Sequence, residues 1–364
     1  MKRRAFISKS LPVAVGGTLL AGCAGESAGP SVHTRPTIRW RMASSFTRSL
    51  DILFGATEYF AARVGALTDQ KFQIRPYPAG ELVPGLQVLD AVQQGTVQMG
   101  QSASYYYTGK NEALAFDTCV PFGLTTRQQL AWLLHGGGLD LIREVLADFN
   151  LLSFPAGSTG AQMGGWFRRD IQSLSDLKGL KMRIPGIGGE VMSRLNVTVQ
   201  VLSGADVYLA LERGAIDAVE WVGPYDDEKL GFQQIVKNYF YPGWWEPGAT
   251  LSHFVNLTAY NQLPSDYREA LAVASADTCQ WMTGMYDTQN PQALARLIQQ
   301  GVNLKPFPPD MLREAEKLSL DVLEEKALAN PAYAKVYHHW KGFRSSVFDW
   351  FKIAEVPYQS FAMR

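Results

Sequence analysis

Two stretches far apart in the chain spell the same pattern. Leu89 to Gly100 lines up with Tyr208 to Val219, and each reads as an apolar helical segment, a glycine, and a short strand. Gly95 and Gly214 sit where a helix ends, and a residue without a Cβ suits the left-handed conformation that closes a helix. Chance similarity stays open, because helix, glycine and strand follow one another in many α/β chains. As a true duplication, the pattern gives two α/β lobes with one copy in each. The strands then end at Gln101-Ser102 and at Glu220-Trp221. Ligands of open α/β sheets lie beyond the carboxyl ends of the strands, so these two ends mark the walls of a cleft.

The remaining chain agrees with an alternating α/β layout. Ile38, Trp40 and Met42 alternate with polar neighbours as a strand, residues 48 to 66 read as a helix, and Phe72 to Arg75 as a second strand ended by Pro76 and Pro78. A helix is expected from Gly85 to Gln94 and a strand from Thr96 to Gly100. Further on, Trp166-Phe167 follows a glycine-punctuated crossing, Ser173 opens a short helix to Lys178, and Leu180 to Pro185 is a strand stopped by proline. Such alternation usually builds parallel sheets. The run Gly186-Ile187-Gly188-Gly189 lacks the third glycine and the later acid of a nucleotide fingerprint, and reads as a close turn into a helix. Pro264-Ser265-Asp266 opens a helical pattern to Gln299, and two more helices follow from Pro308 to Asn330 and from Pro331 to Glu355. Tyr333, Tyr337, Trp340, Val347 and Phe351 lie on one face of the last.

The start of the chain is an export signal. Arg3-Arg4 before Ala5-Phe6-Ile7 is a twin-arginine pattern, an apolar run covers Leu11 to Leu20, and Leu20-Ala21-Gly22-Cys23 has the form of a lipoprotein processing box. Residues 1–22 are then signal peptide, and Cys23 carries lipid on a flexible tether through residue 36. An ordinary cleaved signal and a short anchor are the alternatives, although the run is shorter than the about 20 residues of a comfortable span. With 34 basic and 34 acidic residues the chain lacks a basic footprint, which argues against a nucleic-acid partner. Cys119 and Cys279 either pair or stay buried thiols, and the scattered histidines give no support to zinc or haem.

Three segments carry a family likeness: Gly157 to Phe167, Lys181 to Gly186, and Asp217 to Pro224 with its Glu220-Trp221. Together they resemble the extracytoplasmic solute receptors of tripartite ATP-independent periplasmic (TRAP) transporters, in the branch that binds 2-oxo and 2-hydroxy monocarboxylates with a metal ion. The resemblance runs from about residue 36 to the C-terminus. It implies a two-lobed solute-binding fold with a long helix under both lobes, with lobe I at 37–157 and 250–300, lobe II at 158–249, and C-terminal helices at 301–364. It also implies no enzymatic activity, delivery of a small organic anion to the membrane permease subunits, and a possible homodimer through an exchanged C-terminal helix. Arg183 falls on the arginine that pairs with the ligand carboxylate; Gln162 and Glu220 fall on metal-ligating side chains, and Trp221 on a carbonyl ligand. A further metal ligand lies some thirty residues beyond Glu220 in the family. Ser252-His253-Phe254 stands there, so His253 is the candidate.

Charge independently argues for the metal. Glu220 in an anion's cleft would repel the ligand by roughly 4 kcal/mol at 4 Å and an effective dielectric near 20. A cation between them removes that repulsion, and oxygen donors suit Na⁺ or Ca²⁺ rather than zinc. Glu220 facing solvent or pairing with a lysine is the alternative. Of the aromatics near the strand ends, Tyr105, Tyr106 and Tyr107 are candidates to close over the solute, with Tyr105 the first choice. A receptor for another anion, such as a dicarboxylate or an amino acid, is the runner-up. An exported oxidoreductase is the alternative of another class.

Overall fold

A computed structural model describes residues 35–363. The leader, Cys23 and most of the tether lie outside the described residues. Among the described residues, eleven strands form two sheets: β1 Ile38–Ser44, β2 Phe72–Tyr77, β3 Met99–Ser102, β4 Leu151–Ser158, β5 Trp166–Phe167, β6 Lys181–Arg183, β7 Thr198–Gln200, β8 Ala218–Val219, β9 Asn238–Tyr241, β10 Thr250–Asn256 and β11 Asn303–Pro306.

The first sheet has the order β2-β1-β3-β10-β4, and the second β11-β9-β5-β8-β6-β7. Within each, strands joined through helices run parallel, as with β1 beside β2 and β6 beside β7. Antiparallel pairing enters where the chain changes lobe: β10 pairs β3 and β4, and β5 pairs β8 and β9. Both copies of the repeated pattern are present, one per sheet. The helix 88–93 ends before Gly95 at φ +72°, and the helix 204–212 before Gly214 at φ +70°.

Two crossings join the lobes, residues 159–165 outward and 242–249 back. The helix Ser265–Gln299, 35 residues and so about 52 Å long, lies across both lobes. On lobe I its Cys279 Sγ donates to the Pro155 carbonyl at 3.2 Å. On lobe II its Tyr286 hydroxyl donates to Asp226 at 2.6 Å, and its Asn290 accepts from the Tyr225 N–H at 3.1 Å.

Some boundaries differ from expectation. The first helix starts at Leu53 rather than residue 48, since the preceding segment turns to bury Phe46 and Leu50. Residues 303–306, expected among the C-terminal helices, form β11 on the edge of the second sheet, where Pro306 needs no ladder donor. Cys119 and Cys279 are both free, buried thiols. The closing helices are Pro309–Ala329 and Pro331–Ala362. Tyr333, Tyr337 and Trp340 of the expected stripe pack on Phe116, whereas Trp350, Ile353 and Phe361 further along are 60%, 75% and 69% exposed.

Candidate functional site between the lobes

Arg183 ends β6, and its carbonyl accepts from the Glu220 N–H at 3.1 Å, which lays the segment after β8 alongside it. The guanidinium is 1% exposed. Nη1 donates to the Glu220 carbonyl at 2.7 Å and to its carboxylate at 3.0 Å, Nε to the Leu202 carbonyl at 3.2 Å, and Nη2 to the Tyr106 hydroxyl at 3.3 Å. Its plane lies 4.8 Å from the centre of a Trp221 ring. Gly204 makes room for that indole, because a Cβ there would stand 2.6 Å from Cη2.

The second half of the site comes from the crossings. The Gln162 N–H donates to the Glu246 carbonyl at 3.1 Å, and the Gly243 N–H to the Gln162 carbonyl at 3.0 Å. Outward and return segments are thus pinned together where Gln162 and Glu246 project. Gln162 Nε2 donates to Thr159 at 3.1 Å, and the Tyr105 hydroxyl donates to Glu246 at 3.4 Å. Oε1 of Gln162 and Oε1 of Glu220 are buried with no hydrogen-bond partner among the described residues.

The charges do not balance on their own. Burial, followed by the nearby Glu220, pushes the Glu246 carboxyl well above the usual range. Burial also raises Glu220, although Arg183 opposes it. Burial alone would lower Arg183, but Glu220 and the tyrosines outweigh it and hold the guanidinium charged. One guanidinium thus faces two buried carboxylates, and like charges so close cannot both ionise without a further cation. Two orphaned oxygens, two carboxylates and nearby carbonyls are a hard, all-oxygen donor set of the kind Na⁺ and Ca²⁺ take. The residues fit such an ion.

A small cavity beside this cluster is lined by Tyr105, Tyr106, Thr159, Gln162 and Trp221 together with the apolar Phe46, Leu53, Val222 and Leu251.

Arg183, Gln162, Glu220, Trp221 and Tyr105 are therefore brought together. His253 is not, and its expected place among the metal ligands is corrected. Its ring packs 4.1 Å from Phe60, and Nδ1 shares a 3.0 Å hydrogen bond with Ser275, so it faces the helices behind the sheet. Burial lowers its pKa to about 3, which keeps it neutral. A bulge between Leu251 and Ser252 resets the strand's alternation, and Leu251 is the residue that reaches the cavity. The carboxylate that the sequence reading overlooked is Glu246. Its only signal is an acid set between Trp244-Trp245 and Pro247-Gly248 in a segment that changes lobe.

A buried arginine and acidic cluster at the hinge of two α/β lobes is the geometry of a receptor that closes on a small anion. Residues 43–329 match the family of bacterial extracellular solute-binding proteins, family 7. A monocarboxylate 2-oxoacid-binding periplasmic protein of Nostoc sp. is 52% identical, over 100% of this chain and 99% of its own length. Among solved structures, a TRAP transporter solute-binding protein of Bordetella bronchiseptica is 44% identical with a TM-score of 0.89, covering 90% of this chain and 98% of that one. It is a mixed-occupancy dimer with calcium and picolinate in one site. A TRAP periplasmic solute-binding protein of Pseudoalteromonas atlantica with bound sodium and pyruvate is 38% identical, with a TM-score of 0.86 and coverage of 89% and 99%. The chain belongs to the family 7 solute-binding proteins, as a periplasmic solute receptor of a TRAP transporter and not an enzyme.

Proposed function

We propose that this receptor binds a small 2-oxo or 2-hydroxy monocarboxylate, of the size of pyruvate or lactate, and hands it to the permease subunits of its transporter. Arg183 takes the ligand carboxylate, since a guanidinium offers two parallel donors. Tyr105 and Tyr106 donate to the ligand's oxygens, and the apolar lining residues receive its carbon tail. Gln162, Glu220, Glu246 and the Trp221 carbonyl would hold Na⁺ or Ca²⁺, which would supply the positive charge that lets two carboxylates and an anionic solute share the site. The observation that carries this reading is the lone guanidinium facing two buried carboxylates with unpartnered oxygens beside them. The names and bound ligands of the Nostoc and Pseudoalteromonas relatives support it.

The Cys23 processing box and the Arg3-Arg4 pair support a lipid anchor reached by twin-arginine export. The exposed Trp350, Ile353 and Phe361 support a homodimer through the last helix. Calorimetry in chelated buffer, with Na⁺ or Ca²⁺ added back, tests the solute. Pyruvate or lactate should bind well above succinate and only with the ion; tighter binding of succinate would end this reading.

A further inference from the structure

Phe122 holds φ at +53°, a left-handed conformation that bulky side chains rarely adopt. Such strain persists only where the surroundings over-determine it, and here they do so from two sides. Its N–H donates to the Trp244 carbonyl at 2.8 Å, and its ring stacks on Trp244 with centroids 5.2 Å apart. Its carbonyl accepts two bonds from Arg344 of the last helix, from Nε at 3.1 Å and Nη2 at 2.8 Å. The next residue, Gly123, is pressed so closely that a Cβ would lie 3.0 Å from Trp340 Cζ2 of that same helix.

Trp244 stands two residues before Glu246, and the Glu246 N–H donates to the Gly243 carbonyl at 3.0 Å. Behind this crossing a cavity of about 360 Å³ separates it from the C-terminal helices, lined among others by Gln162, Trp244, Phe348 and Arg344. On that side, the hydrogen-bonded tie from the last helix to the crossing runs from Arg344 through Phe122 to Trp244, beside the bonds that pin the crossing to Gln162. Arg344 is itself anchored, half-buried, with its guanidinium 4.2 Å over the Phe348 ring.

We infer that Arg344 is a positioning residue for the binding site: through the strained Phe122 carbonyl it keeps the return crossing in the geometry that presents Glu246 beside Gln162. This rests on the proposed role of Glu246 as a ligand of the cation. Without Arg344 the Phe122 turn relaxes, and the crossing holds its binding-competent form for only part of the time. Apparent affinity falls in proportion to that fraction. Arg344→Lys keeps the charge and one donor but not the two-pronged grip.

Hydrogen exchange and calorimetry on wild type, Arg344→Ala and Arg344→Lys test this. Exchange without solute should quicken at the amides of residues 243–246 in the Ala variant and less so in the Lys variant. Pyruvate binding in Ca²⁺ buffer should weaken about tenfold in Ala, with Lys between, if the competent fraction drops to about a tenth. Unchanged exchange at 243–246, or quickened exchange confined to the last helix with unchanged affinity, overturns the inference. Should the Ala variant not fold, the Lys variant alone decides by the same two readouts. Wild type that binds no pyruvate counts against the proposed solute, and the exchange measurement then still decides the role of Arg344.

Discussion

Replacing Glu220 with Gln tests the cation directly, because the substitution removes a charge at almost constant volume. Glu220 is fully buried, with one oxygen on Arg183 at 3.0 Å and the other without a partner. Without a bound cation, Arg183 can balance only one of Glu220 and Glu246, so the pair retains a proton at neutral pH. Gln mimics the protonated acid, and folding stability in chelated buffer should change by no more than about 1 kcal/mol. With the cation, both carboxylates must be ionised, and the proton leaves. Losing one unit charge about 4 Å from a monovalent ion costs roughly 4 kcal/mol at an effective dielectric near 20, close to a thousandfold in affinity, and about twice that free energy for Ca²⁺. Calorimetry of Ca²⁺-dependent pyruvate binding, repeated in buffers of different ionisation enthalpy, measures both effects. Wild type should release up to one proton per ion bound and bind more tightly as pH rises, whereas the Gln variant should release less and bind far more weakly. Tighter pyruvate binding by the Gln variant in chelated buffer would refute the reasoning, since it would mean that Glu220 meets the anion without a cation between.

Arg183→Ala should weaken solute binding by about 3 kcal/mol or more, with Lys between, and calorimetry showing near wild-type affinity for Ala would place the carboxylate elsewhere. His253→Gln should leave ion-dependent binding within about twofold while lowering stability by about 1–3 kcal/mol, since its ring serves packing against Phe60 and the Ser275 bond. Burial pushes Asp226 up to about 7. A raised carboxyl pKa contributes stability below the unfolded value near 4, and that contribution is lost as pH rises through about 7. Chemical denaturation should therefore show wild type weakening more steeply than Asp226→Asn between about pH 4 and 7, with the Asn variant gaining up to about 4 kcal/mol on wild type across that window; parallel pH profiles would count against this.

The parts of the site that the sequence announces are those on regular elements with local signals. Gly95 and Gly214 mark helix ends through their backbone needs, while Arg183 closes β6 and Glu220 directly follows β8, so both fall at strand ends that the alternation brings out. Glu246 sits in a crossing with no periodicity, and its meaning comes only from Gln162 across the hinge, far away in sequence. His253 misled because the family's spacing of some thirty residues beyond Glu220 falls on it, and spacing does not say which way a strand residue faces. The bulge beside it and the packing against Phe60 are tertiary facts. The strand 303–306 was hidden for a related reason: exposed Leu304 and a proline suit an edge, and only its neighbour Asn238–Tyr241 makes it a strand.

The lobes are tied in several places: the crossings 159–165 and 242–249, the helix Ser265–Gln299, whose exit strand 303–306 is stitched into the second sheet, and the closing helices, where Lys326 pairs with both Glu112 and Glu190. Two bodies joined at one point can swivel freely, while separate ties oppose sliding and torsion. The two walls of the cleft are thereby kept in register with each other by contacts that lie outside it.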